Sequence, residues 1–286
     1  MTHVRVFRHS RSILGESLVW DAASTAVLWC DISAGLVRVS PWLGVAEGAS
    51  DHVFELPAPL ASFGIAAGGY VVSLGDRVVR CDTAWRVTGE LAVIDHAHDG
   101  MRLNEGKVDP QGRWITGSMN LVGDDPDGAF YSVTADGSRV LTGGVGTANG
   151  LEWSLDGRAV YFTDTAVGTI YRARYSTKGE LSDVEVFHHG SPHDGLAIDL
   201  DGFLWSAHYG EHCVVRYSPE GTEVGRIRLP APNVTSVAFA GPDLRTLLVA
   251  SAREKLTEQQ LVDYPLSGSV FAIEVDVQGR APFVFG

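Results

Sequence analysis

Cysteine is scarce in this chain, with Cys30, Cys81 and Cys213 the three examples among 286 residues. They are odd in number and far apart, and no CxxC pair occurs, so neither a disulfide framework nor a paired-cysteine zinc site is expected. Basic residues are also few: 22 Lys and Arg stand against 35 Asp and Glu, for a formal net charge of −13. Binding to nucleic acid needs clustered positive charge. The composition therefore argues against a nucleic-acid partner.

Long apolar runs are absent as well, since no stretch of about 18 apolar residues could span a membrane. The amino-terminal residues from Met1 to Val6 lack the apolar core of a signal peptide. We therefore expect a cytoplasmic protein without a membrane partner. The sequence contains no P-loop, dinucleotide fingerprint or GxSxG elbow, which argues against nucleotide chemistry and against a serine hydrolase of that type.

What the sequence does contain is a repeat marked by glycine. Gly112, Gly157 and Gly202 are 45 residues apart, and Gly69 precedes the first of them by 43 residues. Weaker copies at 22–29 and 241–247 bring the number of units to six. Each unit reads as an alternating strand, an Asp/Gly turn, a second strand and usually a third. The Asp-Gly dipeptides supply the positive φ that two-residue hairpin turns require.

Six units of this length predict an all-β fold, a six-bladed β-propeller of four-stranded blades. An open sandwich is the structural alternative, but it would not produce a 45-residue period over several copies. We expect the first strand, His3–Phe7, to pair with the carboxy-terminal strands around Val270–Ile273 and so to close the last blade. Residues 1–286 then form a single domain. Helical signals are scarce, and the best lies between Arg253 and Leu261.

A polar residue opens the first strand of at least four units. In a propeller these strands line the central channel, so their first residues meet at one mouth. Two carboxylates and two amides would make an all-oxygen site for a hard divalent cation. Any one of them, taken alone, is more simply a turn or cap residue. The four are Glu16, Asn104, Asn149 and Asp194.

At these positions the chain resembles the SMP-30/gluconolactonase/regucalcin family of metal-dependent lactonases, in its bacterial sugar-lactonase branch. The resemblance runs from Ser10 to the carboxy terminus. It departs from the family pattern at Met101, Glu105 and His193. The segments that carry it are Leu14–Trp20, Arg102–Asp109, Asn149–Ser154 and Asp194–Asp199.

The resemblance implies a role for each site residue. Glu16, Asn149 and Asp194 would bind the metal, and Asp194 would also take a proton from the attacking water. Arg102 and Asn104 would hold the sugar's hydroxyls and ring oxygen. Asp124, just before the strand that begins at Gly128, is the match for an acidic residue that contacts substrate.

The leading hypothesis is therefore metal-dependent hydrolysis of a sugar (aldono-)lactone to the sugar acid, in carbohydrate catabolism. The cation would be calcium, zinc, manganese or iron, the partner a small-molecule lactone, and the protein a monomer or small homo-oligomer. Two alternatives stay open: a calcium- or ligand-binding propeller without turnover, and a related propeller esterase acting on other esters. The presence of Arg102 and Asn104 favours the lactonase, because a bare cation site needs neither.

Overall fold

The computed structural model describes residues 3–42 and 51–286. Within that part of the chain the secondary structure is almost entirely β-strand. In chain order the strands of the first half are β1 (Val4–Arg8), β2 (Gly15–Asp21), β3 (Ala26–Asp31), β4 (Leu36–Pro41), β5 (His52–Glu55), β6 (Leu60–Ala66), β7 (Gly69–Leu74), β8 (Arg77–Asp82), β9 (Val87–Val93), β10 (Met101–Val108), β11 (Trp114–Asn120) and β12 (Gly128–Thr134).

The second half continues the same pattern, with a 3-10 turn at Thr165–Val167 and one short α-helix before the last strand. Its elements are β13 (Gly137–Val145), β14 (Ala148–Trp153), β15 (Ala159–Asp164), β16 (Thr169–Tyr175), β17 (Leu181–His189), β18 (His193–Ile198), β19 (Leu204–His208), β20 (Cys213–Tyr217), β21 (Glu223–Arg228), β22 (Asn233–Ala240), β23 (Thr246–Ala252), α1 (Glu258–Asp263) and β24 (Val270–Glu274).

The chain divides into two compact units. The first comprises residues 1–56 and 194–281, and the second comprises residues 57–193 and 282–286. The sequence-based expectation of one domain over residues 1–286 stays a prediction.

The first unit holds three four-stranded sheets. They run β2-β3-β4-β5, β18-β19-β20-β21 and β22-β23-β24-β1. In the last of these, β1 pairs antiparallel with β24, with Val4 opposite Ile273 and Val6 opposite Phe271. This pairing confirms that the amino-terminal strand completes the blade built by the carboxy-terminal strands.

The second unit also holds three four-stranded sheets, β6-β7-β8-β9, β10-β11-β12-β13 and β14-β15-β16-β17. Counted over the described residues, the two units contribute six antiparallel sheets of one design. They are the blades of a six-bladed β-propeller, as the repeat predicts.

Burial falls from the inner to the outer strands of a blade, which explains the sequence pattern. Second strands such as β3, β7 and β15 are buried at every residue. Fourth strands such as β9 and β17 are mostly exposed. A strand covered on both faces needs a continuous apolar run, whereas an outer strand tolerates polar residues. The fourth strands are therefore the weakest signals in the sequence.

The turns that carry three of the repeat's glycines are five residues long, at 109–113, 154–158 and 199–203. The expectation of two-residue hairpin turns is wrong for these units, but it holds in the unit of Gly69, where residues 67 and 68 join the paired residues Ala66 and Gly69. In each five-residue turn the glycine N–H donates to the carbonyl of the first turn residue, and the glycine φ is 80°, 69° or 83°. The first residue, an Asp or Ser, also accepts backbone N–H groups with its side chain, and this arrangement needs the longer turn.

The one helical prediction is partly right. Helix α1 covers Glu258–Asp263, not the whole of 253–261. Thr257 caps it, because its hydroxyl accepts from Gln260 N while the Gln260 side chain accepts from Thr257 N. Lys255 has a φ of 60°, so the segment before the cap cannot continue the helix. In the described residues no helix is long and apolar enough to span a membrane.

Candidate active site

A chain of hydrogen bonds joins the predicted site residues of the second unit. Arg102 Nη1 donates to Asn104 Oδ1 at 2.6 Å, and Asn104 Nδ2 donates to Asn149 Oδ1 at 2.8 Å. Asn149 Nδ2 then donates to Thr165 Oγ1 at 2.9 Å, and that hydroxyl donates to the carbonyl of His193 at 2.6 Å. Arg102, Asn104 and Asn149 are each more than nine-tenths buried. The structure therefore brings these three predicted residues together.

The same hydrogen bonds determine which donors and acceptors of the Asn104 and Asn149 side chains are left for a ligand. Asn104 Nδ2 also donates to the Ala148 carbonyl at 3.0 Å, so both of its N–H groups are used within the protein. The Asn104 oxygen accepts from Arg102 and can accept once more, from a substrate hydroxyl for example. The Asn149 oxygen accepts from Asn104 and likewise keeps one lone pair, which a cation could take.

Two residues that were not predicted from the sequence, Thr165 and Asp164, hold this series of hydrogen bonds in place. Thr165 is its fourth member. Asp164, which ends β15, accepts from the backbone N–H groups of Gly146 and Thr147 before β14 and from Ala166 N. In the first unit Asp31 ends β3 and accepts in the same way from residues 13 and 14, just before β2. An Asp at the end of the second strand is the signal that could have found this device.

An irregularity in the first strand lies beside each of several site residues. The pairing register shifts between Glu16 and Val19 in β2, and between Asn149 and Leu151 in β14. A similar shift spans Asn104 in β10. Bulges of this kind redirect side chains and are common next to active sites. Ser17, directly after Glu16, has a φ of 53°, a left-handed conformation that costs a non-glycine residue energy.

In the first unit, Glu16 on β2 and Asp194 on β18 lie close to one phenol. Burial raises the pKa of Tyr209, and the negative charges of Glu254, Asp194 and Glu16 raise it further. Both predicted carboxylates are buried, Asp194 to 4% exposure. Both carboxylates therefore act electrostatically on the Tyr209 phenol, which stays a neutral hydroxyl group.

Tyr209 was not a sequence-based candidate, and nor was the residue that holds it. Asn233, the first residue of β22, donates from Nδ2 to Tyr209 Oη at 3.2 Å and to the Glu254 carbonyl at 2.8 Å. Asn233 lies one residue before the position of Asn149 in its blade, because it pairs with the last residue of β23 as Ala148 pairs with the last residue of β15. The aligned repeat therefore does not identify Asn233.

Glu105, where the sequence departs from the family pattern, belongs to a charged group in the second unit. Its Oε1 accepts from Gly106 N at 2.8 Å, and Lys107 Nζ lies 3.3 Å from Glu152 Oε2. Burial raises the pKa of Glu105 above its ordinary value, while the Lys107 ammonium opposes that rise.

Two further residues named from the sequence differ in their setting. His193 is fully buried, with its ring 5.3 Å from that of His188, so it packs against β17. Asp124 lies in the exposed loop between β11 and β12. None of the hydrogen bonds among the described residues joins Asp124 to Arg102 or Asn104, and its contact with substrate stays a prediction.

Comparison with known proteins defines the class. The family described as the SMP-30/Gluconolactonase/LRE-like region matches residues 14–253. A 6-deoxy-6-sulfogluconolactonase from Pseudomonas putida is 35% identical over 282 residues, covering 96% of this chain and 95% of that protein. Regucalcin from Sus scrofa is 32% identical, covering 95% of this chain and 94% of that protein. The chain belongs to the SMP-30/gluconolactonase/LRE-like family.

A solved structure supports the fold over the full length of the chain. The crystal structure of a calcium-binding regucalcin from Agrobacterium tumefaciens has a TM-score of 0.93 at 27% identity, covering 100% of this chain and 98% of that one. The family resemblance read from the sequence is thus confirmed, and so is the assignment of the protein to the lactonases.

Proposed function

We propose that the protein hydrolyses a sugar lactone of the aldonolactone type to its sugar acid, with one divalent cation bound by Glu16, Asn149 and Asp194. The observation that carries the proposal is the buried chain from Arg102 through Asn104 to Asn149 in a protein of a lactonase family. A cation site alone would not need a buried guanidinium beside it. A role in carbohydrate catabolism and a cytoplasmic location are part of the same proposal.

The donor set suits a hard cation. Glu16 and Asp194 are buried carboxylates that act on the same phenol, and Asn149 offers an amide oxygen with one lone pair remaining. Oxygen ligands of this kind fit calcium or manganese and are compatible with zinc or iron. Calcium binding is named for the regucalcin from Agrobacterium tumefaciens. When bound, the cation would polarise the lactone carbonyl.

The side chains of the protein supply orientation and proton transfer. Asp194 accepts the proton of the attacking water as a general base. Arg102 binds ring hydroxyls, and Asn104 accepts one hydrogen bond from the sugar. Asn104 acts towards the sugar as an acceptor only, because both of its N–H groups donate within the protein.

A thiol nucleophile is disfavoured by the state of the cysteines. Burial raises the pKa of Cys81 to about 11 and also raises the pKa of Cys213. Cys30 is fully buried. Because the thiolate is the reactive form, these side chains are unsuited to attack a lactone carbonyl at neutral pH. We therefore expect ring opening without a covalent acyl-enzyme.

Asp194→Asn tests the proposal. It keeps the shape of the side chain but removes the base and one charge, so lactonase activity should fall by roughly 10²–10⁴-fold. Activity would be measured on a panel of aldonolactones, including a sulfonated one, with divalent cations added back after chelation. Asp201→Asn, at an exposed position in the same blade, is the matched control and should keep activity.

The same panel separates the alternatives. A cation-binding propeller without turnover would bind the metal and open no lactone, and a propeller esterase would prefer aryl esters. Either result, or full activity in Asp194→Asn, would contradict the proposed function.

A further inference from the structure

The turn between β19 and β20 brings together three side chains of the types that bind metals. His208 ends β19, Glu211 lies in the turn, and Cys213 begins β20 directly opposite His208. One ligand atom from each, a His208 ring nitrogen, a Glu211 carboxylate oxygen and Cys213 Sγ, lie within 4.8 Å of one another. None of the three takes part in the proposed lactone chemistry. We propose that this turn is a second cation site, selective for a zinc-like divalent ion.

The ligand types decide which cation fits. A nitrogen, an oxygen and a sulfur ligand suit zinc and similar ions, whereas calcium and magnesium prefer oxygen alone. Ligand atoms at about 2.0–2.3 Å from a tetrahedral zinc ion stand roughly 3.3–3.7 Å apart. His208 Nδ1 and Glu211 Oε2 are now 2.8 Å apart, so they need to separate by only a few tenths of an ångström. The hairpin already holds Cys213 Sγ within 4.8 Å of the other two ligand atoms.

The second nitrogen of His208 has the partner that a metal-binding histidine needs. Tyr217 Oη lies 3.2 Å from His208 Nε2, and the two rings are stacked at 18°. If Nε2 carries the proton and donates it to Tyr217, Nδ1 presents its lone pair to the ion. Such partners fix the tautomer and the ring orientation of metal-bound histidines. Burial also lowers the pKa of His208, which favours the neutral ring.

Arg226 is the group that could oppose a cation here. Its Nη1 donates to Cys213 Sγ at 3.2 Å and lies 3.9 Å from Glu211 Oε2. Glu223 holds the guanidinium with two bonds of 2.9 Å, so its charge is already shared. An N–H donor to sulfur also stabilises a thiolate. On binding, the Sγ–H proton passes to solvent, and the charges of Glu211, Glu223, the thiolate, Arg226 and the cation then sum to zero.

Solvent reaches the site from the Glu211 side. The Glu211 side chain is 36% exposed, whereas the side chains of His208 and Cys213 are fully buried. A cation can therefore enter through the turn without opening the hairpin, and water can fill the fourth coordination position. Three protein ligands with one water describe an accessible binding site rather than a closed structural one.

Cobalt(II) gives a readout that the lactonase site cannot produce. A thiolate bound to Co²⁺ has a charge-transfer absorption in the near ultraviolet, and the proposed lactonase ligands contain no sulfur. We expect one equivalent of Co²⁺ to produce this band in the wild type and in Asp194→Asn. Cys213→Ser should lose the band, while Cys30→Ser, with a buried cysteine changed in another blade, should keep it. Zn²⁺ should displace the Co²⁺ and bleach the band.

Two milder variants keep the test valid if Cys213→Ser fails to fold. Glu211→Gln changes a partly exposed turn residue and should weaken Zn²⁺ binding, measured by competition with a chromophoric chelator. Tyr217→Phe should weaken it by about 10-fold, because it removes the partner of His208. Absence of the band in folded wild type, or its survival in Cys213→Ser, would overturn the proposal. Unchanged Zn²⁺ affinity in both milder variants would do the same.

Discussion

Asn104 and Asn149 are the same residue type at equivalent positions of adjacent blades, yet their amides have different tasks. Asn104 donates with its two N–H groups to the Ala148 carbonyl and to Asn149 Oδ1. Asn149 donates to Thr165 and accepts from Asn104 with its oxygen. An aspartate at position 104 could not donate to Asn149 or to the Ala148 carbonyl. Both positions therefore require asparagine, because each side chain must accept one hydrogen bond with its oxygen and donate at least one with its N–H groups.

Glu105 is the residue whose protonation should affect stability. Its pKa is raised in the folded protein, mainly by burial. Such a carboxyl stabilises the fold below its unfolded value of 4.5 and loses that contribution as the pH rises through the folded pKa. Glutamine can still accept from Gly106 N and has no charge to bury. The free energy of unfolding of Glu105→Gln should therefore increase relative to wild type as the pH rises from 4.5 towards neutrality.

Urea unfolding at several pH values in that interval measures the effect. Glu185→Gln, on the exposed face of β17, is the control and should give a difference that does not grow with pH. A Glu105→Gln variant that loses stability with rising pH would contradict the direction assigned to this pKa.

At the residue scale, the sequence could predict those site residues that the repeat aligns. Arg102, Asn104 and Asn149 follow from the motif, and the structure joins them by hydrogen bonds. Thr165 and Tyr209 could not be found in this way, because each comes from the end of a second strand or the turn after it. Their roles depend on side-chain directions across two strands, which the strand period does not specify.

At the scale of the element, a five-residue turn joins the first two strands in four of the six blades. Asp109 accepts from the N–H groups of Gln111 and Arg113, and its other oxygen accepts from Arg113 Nε and Tyr175 Oη, both at 2.6 Å. Ser154 opens the corresponding turn of the next blade and accepts from Ala159 N at 2.9 Å. The two turns have the same backbone conformation, but the Asp109 side chain accepts more hydrogen bonds than the Ser154 side chain.

Replacing the first turn residue should therefore cost unequal amounts. Asp109→Ala leaves the buried Tyr175 hydroxyl without its partner and the Arg113 guanidinium with only Thr177 O and Gln111 Oε1. It should lower the free energy of unfolding by about 3 kcal/mol. Ser154→Ala should cost about 1 kcal/mol. Urea unfolding of both variants gives the comparison. Equal losses would show that the backbone turn, and not the buried carboxylate, carries the stability.

Elements differed in how well the sequence predicted them, for a physical reason. Inner strands such as β14 and β15 are buried throughout and give strong apolar signals. The bulges in β2 and β14 gave no signal, since they are fixed by how each strand meets its neighbours. The turns were located correctly by their glycines, but their length depended on side-chain caps that a dipeptide pattern does not reveal.

At the scale of the whole molecule, the first strand of the chain, β1, lies in the same blade as the last strand, β24. It pairs with β24, and Phe7 is 4% exposed in a cluster that includes Trp20, Trp29 and Val270. Phe7→Ala should lower the free energy of unfolding by about 3–5 kcal/mol, because it removes a buried aromatic side chain.

Val6→Ala is the matched control for this strand. Val6 is 37% exposed, so a loss within about 1 kcal/mol is expected. Denaturant unfolding measures both variants. If Phe7→Ala cost no more than Val6→Ala, the amino-terminal strand would be only loosely attached to its blade.

The fold class was predictable because the repeat, its period and the closing strand are all written in the sequence. Six sheets and the β1–β24 pairing agree with that prediction. The division of the chain into two compact units was not predicted, since it depends on where contacts concentrate. No period of 45 residues carries that information.

The position of Asn149 has a consequence for chemical ageing. An asparagine followed by glycine is prone to deamidation, because the unhindered Gly150 nitrogen can attack the side-chain carbonyl and form a cyclic imide. In the folded protein the Asn149 amide is buried and held by Asn104 and Thr165, and β14 keeps Gly150 in a strand. Unfolding removes that protection. Each unfolding event therefore exposes Asn149 to conversion into aspartate, which can no longer donate to Thr165. The loss of activity from this reaction should increase with the total time that the protein spends unfolded.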